Sequence, residues 1–478
     1  MNLTTPLRIL FKTVLWALGV AAVFVLAIVA INAFDEDLSP QTAALSKAPD
    51  NPYAPEENLY IALVGFDAPE GQSVVTVGQE RVAENDIAAA EFLKDPRTLP
   101  ESLERSKDRK KTEFKGKPDF CRPITGSCWT GVESHQPEIN GLLKDNQELY
   151  RRYLALPALR GYFETANPSY LMIFTNVPGG VRALFLTNTA LLIRTGTTVR
   201  TKNAALVDLR NDVSTWRRML VGNGGLISKM LAIASLHGDY VLLGDMIADP
   251  NIDLAPLSAE IEGTLLQVGM DDWKLRNVFA NEFRISVSMY EQLKSARTSA
   301  FRPGYTPEGE EPGWWEMPWA RVQDHLLKVH ATENISALAM IELQKAAEAE
   351  PRELLAAQET FHKWSVRNLR FSPSLLYNPL GKTLVSVGVS AYDAYPLRAY
   401  DVAAYARGVQ LAYEIRKQRV PASDIPAFSR RHPEWATHPV NGEPFAWDPE
   451  ARELRIRTMG KSYADRRFSI PVWIAPAT

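Results

Sequence analysis

The chain has 478 residues, with 53 lysines and arginines against 56 aspartates and glutamates, which gives a net charge of −3. This balance argues against a nucleic-acid-binding protein, which normally carries a broad basic surface. Hydrophobic residues make up 46% of the sequence, which is enough for a folded core. The length allows two or three ordinary domains or one large helical domain.

The first predicted element is a membrane-spanning helix, residues 13–34, which carries no charged residue. About 20 apolar residues in a helix cross the hydrocarbon core of a bilayer. The cytoplasmic N-terminus is predicted to be residues 1–12, because Arg8 and Lys12 precede the apolar run whereas acidic residues follow it. A cleaved signal peptide is the alternative, but its apolar region is normally only about 7–15 residues long. We therefore predict an uncleaved single-pass anchor that contacts the lipid bilayer through residues 13–34.

The next two regions are a predicted spacer and a predicted helical domain. Residues 35–57 are rich in proline, alanine and acidic residues, which favours a spacer between the bilayer and the domain. Residues 58–430 are predicted to be helical, most clearly in 203–221, where apolar residues recur every three or four positions. A Gly-Asn-Gly-Gly turn at 222–225 follows, and the apolar spacing then resumes, which predicts an antiparallel helix hairpin. Further helices are predicted near residues 82–94, 137–155, 178–194, 272–295, 318–349, 352–369 and 381–419.

The last part of the chain, residues 431–478, is predicted to be a loop followed by a small β-hairpin element. Leu454 and Ile456 alternate with charged neighbours, which is the two-residue period of a strand. Phe468 to Trp473 is a possible third strand at an edge, because Pro471 cannot donate to a ladder. The predicted fold class is therefore mainly α: one N-terminal transmembrane helix, a helical-bundle ectodomain of antiparallel helix hairpins and a small C-terminal β-hairpin element.

Two cysteines occur in the sequence, Cys121 and Cys128. Outside the cytosol, a loop that contains proline and glycine and is closed by two cysteines is typical of a local disulfide. Two free thiols are an alternative. A metal site is a weaker one, because a zinc site usually needs four ligands. We predict a Cys121–Cys128 disulfide.

Two segments resemble known bacterial envelope proteins. The hairpin DLRNDVSTWRRMLVGNGGLISKMLAIA (208–234) and the tail YARGVQLAYEIRKQRVPASDIPAF (405–428) with HPVNGEPFAWDPEARELRIRT (438–458) resemble uncharacterised single-span envelope proteins with a helical ectodomain. The tail is also similar to the C-terminal part of type II secretion pseudopilins, although in those proteins the membrane helix continues directly into the same domain. These resemblances imply a bacterial inner-membrane protein whose bulk lies in the periplasm, and they imply no activity.

A search for catalytic and metal-binding motifs identifies none. Gly381-Lys382-Thr383 lacks the first glycine of a P-loop, and Gly388-Val389-Ser390-Ala391-Tyr392 lacks the second glycine of a nucleophile elbow. His432 and His438 share a proline-rich loop, where a metal pair is an alternative to ordinary turn residues. We predict no cofactor and no metal.

The helical pattern places the carboxylate of Glu282 among apolar residues. It falls in the stripe formed by Leu275, Val278, Phe279, Ile285, Met289 and Leu293. A buried carboxylate must be paired, hydrogen-bonded or protonated. Glu282 is therefore either a catalytic acid or base or a structural salt-bridge partner between helices, and we favour the structural role.

Trp314, Trp315 and Trp319 form an aromatic cluster beside a Pro/Gly-rich loop. Clustered tryptophans occur at protein interfaces and at sugar-binding platforms, and they also plug loops onto helical cores. The structural interpretation is that the tryptophans pack the loop onto the helical core, and the functional interpretation is that they contact a partner.

The function that these observations favour is a non-enzymatic, membrane-anchored periplasmic scaffold, or an accessory subunit that binds another envelope protein. One alternative is a hydrolase or other enzyme whose site is assembled from dispersed residues such as Glu282 and His237. Another is a ligand-binding helical domain with a pocket behind the tryptophan loop. A polar pocket lined by perturbed titratable groups would favour the enzyme, and a flat apolar patch would favour the scaffold.

Overall fold

The computed structural model describes residues 4–94, 109–118, 128–169, 179–295, 326–370, 373–460 and 467–474. The protein is mainly helical, as the sequence predicts. The helices are α1 (Thr4–Ile31), α2 (Pro40–Ser46), α3 (Leu59–Val64), α4 (Val74–Lys94), α5 (Gln136–Asp145), α6 (Gln147–Ala155), α7 (Gly179–Thr195), α8 (Val199–Val221), α9 (Leu226–Ala248), α10 (Ser258–Leu265), α11 (Val278–Ser295), α12 (Val329–Ala347), α13 (Leu354–Ser365), α14 (Pro379–Ser390), α15 (Tyr395–Lys417), α16 (Ile425–Arg431) and α17 (Pro433–Ala436).

Helix α1 is long and apolar enough, over Phe11–Ile31, to cross a membrane, and none of that stretch is buried by the rest of the protein. This agrees with the predicted single span. Helix α9 passes the same test of length and composition, but most of it is buried inside the domain. It is therefore the central helix of a packed core.

The predicted helix hairpin is confirmed as α8 and α9, which pack against each other across the turn 222–225. The apolar stripe of α8, including Leu209, Val213 and Trp216, is fully buried. Gly222 has to be glycine, because a Cβ atom there would lie 2.4 Å from the carbonyl oxygen of Tyr162. The close approach of residues 162–164 to this turn is what builds the site described below.

An ion cluster inside the bundle joins α7, α8 and α9. The guanidinium of Arg182 donates to Asp239 and lies 3.8 Å from Asp212, which accepts a hydrogen bond from the Tyr153 hydroxyl. Burial raises the pKa of Asp239 well above its usual range, although the charge of Arg182 opposes this. Two carboxylates, one on α8 and one on α9, thus share the guanidinium of Arg182 on α7.

Two segments that were each predicted to form one continuous helix form two separate helices in the structure. The predicted helix 381–419 is divided into α14 and α15, because Pro396 cannot complete the hydrogen bonds of a continuous helix and instead occupies the first turn of α15. The predicted helix 137–155 is interrupted at Asn146, whose amide donates to the carbonyl oxygens of Leu142 and Lys115. Side-chain bonds of this kind compete with a helical backbone.

The C-terminal element is a three-stranded antiparallel sheet in the order β1 (Ala446–Asp448), β2 (Glu453–Arg457) and β3 (Arg467–Pro471). The third strand considered from the sequence is therefore present: β3 pairs with β2 at the edge of the sheet and ends at Pro471. The inner face of the sheet packs on α9 and α15. Ile456 and Ile470 sit against Gly408, where a Cβ atom would lie 2.3 Å from Ile470.

The predicted spacer, residues 35–57, is packed against the domain rather than extended away from it. Helix α2 lies on α11 and α12, and Ser39 at its start is tied to Asn334 through a 2.9 Å hydrogen bond. Cys128 is 2% exposed, but Cys121 lies outside the described residues. The Cys121–Cys128 disulfide therefore stays a prediction.

Candidate functional site: a polar pocket at the start of helix α9

The structure places Glu282 on α11, with its carboxylate directed at the first turn of α9. Its Oε1 accepts a 2.7 Å hydrogen bond from the backbone N–H of Leu226, and its Oε2 accepts one of 3.0 Å from the Tyr392 hydroxyl. Within the described part of the chain, no cation lies at ion-pair distance from Glu282. Its structural partner is therefore a helix terminus, and the salt bridge considered from the sequence is not formed.

A second carboxylate, Glu164, reaches the same helix terminus. The segment that carries it runs beside the 222–225 turn, because Asn223 N donates to Tyr162 O at 3.1 Å and Glu164 N donates to Asn223 O at 2.9 Å. The side chain of Glu164 then accepts a 2.9 Å hydrogen bond from Gly225 N and further hydrogen bonds from the hydroxyls of Tyr162 and Ser228.

The two carboxylates meet at one point. A Cβ atom on Gly225 would lie 3.3 Å from Glu282 Oε1 and 3.6 Å from Glu164 Oε2. The first N–H groups of a helix have no partner within the helix and carry a partial positive charge of about +0.5, which attracts acidic groups. Both carboxylates are stabilised in this way, so the start of α9 is already neutralised by the protein itself.

The environment of Glu282 perturbs the ionisation of its carboxyl. Burial raises the pKa of its carboxyl above the usual value, and the charge of Glu164 adds to this rise. The hydrogen bonds from Leu226 and Tyr392 act in the opposite direction but do not cancel the effect of burial. A carboxyl with a raised pKa beside an ionisable neighbour is the arrangement that enzymes use for proton transfer, although here both groups are fully engaged in capping.

Beside Glu164 lies a cavity of about 260 Å³. Its walls come from α3, α4, α9 and α11, from the loop around Phe163, and from residues 48–51, which follow α2. Two aromatic side chains, Tyr60 and Phe163, line it. The remaining lining is rich in amides, contributed by Asn51, Asn85, Asn167, Asn223 and Asn281.

Asn85 is the most informative residue of the pocket. It is only 4% exposed, it lines the cavity, and its amide nitrogen has no hydrogen-bond partner among the residues that the structure describes. The hydroxyl of Thr165, on the same cavity, is also buried and has no partner within those residues. Buried polar groups in native proteins are almost always hydrogen-bonded, to protein, water or ligand. These two groups therefore indicate a polar occupant.

The charged groups that line the cavity have partners within the protein. Among the described residues in its wall these are Glu164, whose carboxylate accepts three hydrogen bonds, and Arg284. The guanidinium of Arg284 donates to the side-chain oxygen of Asn281 and, at 3.3 Å, to the carbonyl oxygen of Leu45. The two charges are opposite, so the cavity presents amides and hydroxyls rather than a net charge.

Lys229 is buried immediately after Ser228 on α9. Its Nζ donates to the carbonyl oxygens of Leu220, at 2.8 Å, and Gly222, which are carbonyl groups at the end of α8. Burial lowers the pKa of Lys229 to about 7, while the negative charge of Glu164 acts in the opposite direction. The turn between α8 and α9 is thus held by an amine on one side and by two carboxylates on the other.

The other residues selected from the sequence lie elsewhere. His237 is on α9, about three turns from Leu226, and its ring stacks on Phe468 with centroids 4.7 Å apart. Burial lowers its pKa to about 4. The Nε2 atom of His438 is hydrogen-bonded to Asp401 Oδ1 at 3.2 Å, whereas the ring of His432 stacks on Trp435. The structure does not bring Glu282 and His237 together.

The tryptophan cluster and the metal-binding groups complete the set of residues considered from the sequence. Trp314, Trp315 and Trp319 lie outside the described residues. Over the ranges that are described, no group of three or more histidine, cysteine or acidic side chains could hold a metal ion.

Sequence reasoning missed Glu164 and Asn85. Glu164 follows a glycine-aromatic-aromatic stretch in a loop, and Asn85 lies in a helix of mixed apolar and polar residues, so no periodic pattern distinguishes either residue. The glycine-rich turn at 222–225 was the available signal, because a backbone without side chains permits another segment to approach closely.

Comparisons with protein-family models, with curated proteins and with solved structures find no match to this chain. The resemblance to single-span envelope proteins and to pseudopilin tails stays a prediction.

Proposed function

We propose that this protein is a membrane-anchored helical domain that binds a small, uncharged polar molecule in the pocket beside Glu164. The observation that carries the proposal is Asn85, a buried amide that lines a cavity and whose nitrogen has no partner in the described part of the chain. An unsatisfied buried amide costs about 1–3 kcal/mol. An occupant that accepts a hydrogen bond from it recovers that energy.

The chemistry of the walls specifies the ligand class. Amide side chains donate and accept hydrogen bonds, so several of them together suit a molecule with hydroxyl or amide groups. The aromatic groups Tyr60 and Phe163 suit an apolar face on the same molecule. The volume of about 260 Å³ lies near the lower end of the range of about 300–1,000 Å³ for small-molecule sites.

An anionic ligand fits this pocket poorly. Helix termini bind anions through free N–H groups, but Glu164 and Glu282 already accept from Gly225 and Leu226. A phosphate or carboxylate at this position would face two carboxyl groups. A strongly cationic ligand is not attracted either, because the wall carries the positive charge of Arg284 as well as the negative charge of Glu164.

The anchor sets where the pocket operates. In the proposed topology, α1 spans the bacterial inner membrane, the basic residues before it stay in the cytoplasm, and the domain lies in the periplasm. The supporting observations are the uncharged span and the acidic residues that follow it.

The test is a thermal-shift screen of the full-length protein in detergent, with a panel of monosaccharides, polyols, neutral amides, amino acids, dicarboxylates and diamines. Compounds that stabilise the protein are then titrated calorimetrically. We expect neutral hydroxyl- or amide-bearing compounds to stabilise the parent protein, and Asn85→Leu to weaken their binding about tenfold, which corresponds to about 1.4 kcal/mol. Asn441→Leu, in an exposed loop, is the matched control and should bind like the parent.

Two results would contradict the proposal. One is stabilisation by charged compounds alone or by none of the panel. The other is unchanged binding in Asn85→Leu, provided that this variant retains the helical circular-dichroism spectrum of the parent.

The scaffold role and the enzyme role remain alternatives. The feature that would favour the scaffold, an apolar patch around Trp314, Trp315 and Trp319, lies outside the described residues. The enzyme alternative is supported by the raised pKa of Glu282. However, Glu282 is absent from the described lining of the cavity, so a ligand there would not contact its carboxyl directly. Ligand binding is therefore the function that the geometry supports best.

A further inference from the structure

The end of the anchor helix is built into the domain. Asn32, directly after α1, is fully buried. Its side-chain amide donates to the carbonyl oxygen of Leu376 at 2.7 Å, and its side-chain oxygen accepts from Asn378 N at 2.7 Å. Asn378 in turn bonds Thr332 and the backbone of Lys328. A polar network therefore joins the residue that follows the span to the starts of α12 and α14.

The acidic residues after the span are turned toward the protein. The carboxylate of Asp35 accepts hydrogen bonds from the backbone N–H groups of His330, at 3.0 Å, and Ala331, at 3.1 Å, and so caps α12. Glu36 accepts from the side chain of Asn334 at 3.0 Å. These contacts fix the direction in which the domain leaves the bilayer.

The depth of this junction follows from the length of the span. Phe11–Ile31 has 21 residues, and at 1.5 Å per residue it covers about 30 Å, the thickness of the hydrocarbon core. Asn32 therefore lies where the acyl chains give way to headgroups. Because Asn32 is hydrogen-bonded to the backbone of Leu376, residues 376–378 lie at the same depth.

Apolar and aromatic side chains are exposed at this level. Phe34 is 83% exposed, Leu38 is 42% exposed and Leu376 is 39% exposed. The hydroxyl of Tyr377 donates to the carbonyl oxygen of Phe34 at 3.3 Å, so the two segments touch. We call Phe34, Leu38, Leu376 and Tyr377 the membrane-proximal surface. Aromatic residues with one polar end are typical of membrane–water interfaces.

We propose that the domain rests on the bilayer through the membrane-proximal surface, in one fixed orientation, with Phe34 and Leu376 inserted into the headgroup layer around α1. The occupant of this apolar surface is the same bilayer that holds the anchor, because the surface is continuous with the end of the span. The proposal rests on the membrane-spanning role of α1 and is independent of any ligand in the pocket beside Glu164.

The experiment is spin labelling of the full-length protein in lipid nanodiscs. Single cysteines are introduced by Phe34→Cys and Leu376→Cys, and the accessibility of each label to oxygen and to a water-soluble nickel chelate is measured. Leu355→Cys is the matched control, because Leu355 is 42% exposed on α13. Val20→Cys reports on the span itself, and the parent protein measures background labelling of Cys121 and Cys128.

We expect labels at residues 34 and 376 to be more accessible to oxygen than to the nickel chelate, as at residue 20, and the label at 355 to show the reverse. If labels at 34 and 376 behave like the label at 355 while residue 20 remains in lipid, the domain stands clear of the bilayer and the proposal is wrong. If the label at residue 20 is itself in water, α1 does not span the membrane, and the proposed contact between the membrane-proximal surface and the bilayer is wrong as well.

Discussion

Glu282 shows how far the environment of one residue can be inferred from helical periodicity. The pattern placed its carboxylate on the inward face of α11, but its partners come from α9 and from Tyr392, far away in sequence. Because a backbone N–H and a hydroxyl are the partners, an amide can replace the carboxyl. The salt-bridge interpretation would have required a cation.

We expect Glu282→Gln to change the free energy of unfolding by less than about 1 kcal/mol, and Glu282→Leu to reduce it by about 1–3 kcal/mol, because leucine leaves the Leu226 N–H without an acceptor. Chemical denaturation of the full-length protein in detergent measures both. Glu359→Gln and Glu359→Leu, at an exposed position of α13, are the controls. Equal losses for glutamine and leucine would mean that the negative charge itself is needed.

The raised pKa of Glu282 also predicts a pH dependence. A carboxyl that binds its proton more tightly in the folded state stabilises the protein at low pH, and that contribution is lost as the pH rises through the folded pKa. The stability of the parent should therefore fall relative to Glu282→Gln as the pH is raised from about 4.3, the unfolded value. Parallel pH profiles would contradict the assigned burial.

Lys229 has the opposite dependence. Its folded pKa of about 7 lies below the unfolded value of about 10.4, so between these values only the unfolded chain binds the proton. Stability of the parent should therefore rise relative to Lys229→Met from pH 7.5 to 9.5, by at most about 1.4 kcal/mol per pH unit. Denaturation at several pH values measures this, with Lys345→Met, which removes an exposed ammonium, as control. A flat difference would mean that Lys229 stays charged.

Among the elements, α12 depends on a residue that belongs to the anchor region. Asp35 caps its first turn across almost 300 positions of sequence, and no local pattern predicts such a cap. The spacer assigned from composition is a packed segment for the same reason: Asp35, Glu36 and Ser39 form hydrogen bonds with α12, which is distant in sequence.

Asp35→Ala should lower the stability of the domain by about 0.5–2 kcal/mol, the usual cost of removing a helix cap. Thermal unfolding of the full-length protein in nanodiscs measures the change. Asp37→Ala is the matched control, because its side chain is exposed and only its backbone carbonyl oxygen bonds Asn334. If the two alanine variants melt together, the contact between anchor and domain contributes nothing to stability.

At the scale of the whole molecule, the junction bears on how the protein matures. Asn32 is buried and hydrogen-bonded to Leu376 and Asn378, so cleavage near residue 33 would separate the span from a network that the domain uses. We expect the mature protein to retain residues 1–34. Intact-mass spectrometry of protein from purified membranes decides this, and a species that starts at Phe34 or Asp35 would contradict it.

The sequence by itself determined the elements that depend on local periodicity. The uncharged span, the α8–α9 hairpin with its glycine turn, and the alternation in β2 each follow from side chains that are near one another in the chain. It also showed that Glu282 belongs to an inward face, since one helix contains all the information needed for that.

Only the tertiary structure decided what these elements meet. Glu164 and Glu282 reach the start of α9 from segments that are separated by more than a hundred positions, and Asn85 faces the same cavity from a fourth element. Whether these side chains form one site depends on the distances between their segments in space, and the same is true of the contact between Asp35 and α12. Because a hydrogen bond acts over about 3 Å in space and is indifferent to separation along the chain, such a site has no local signature in the sequence.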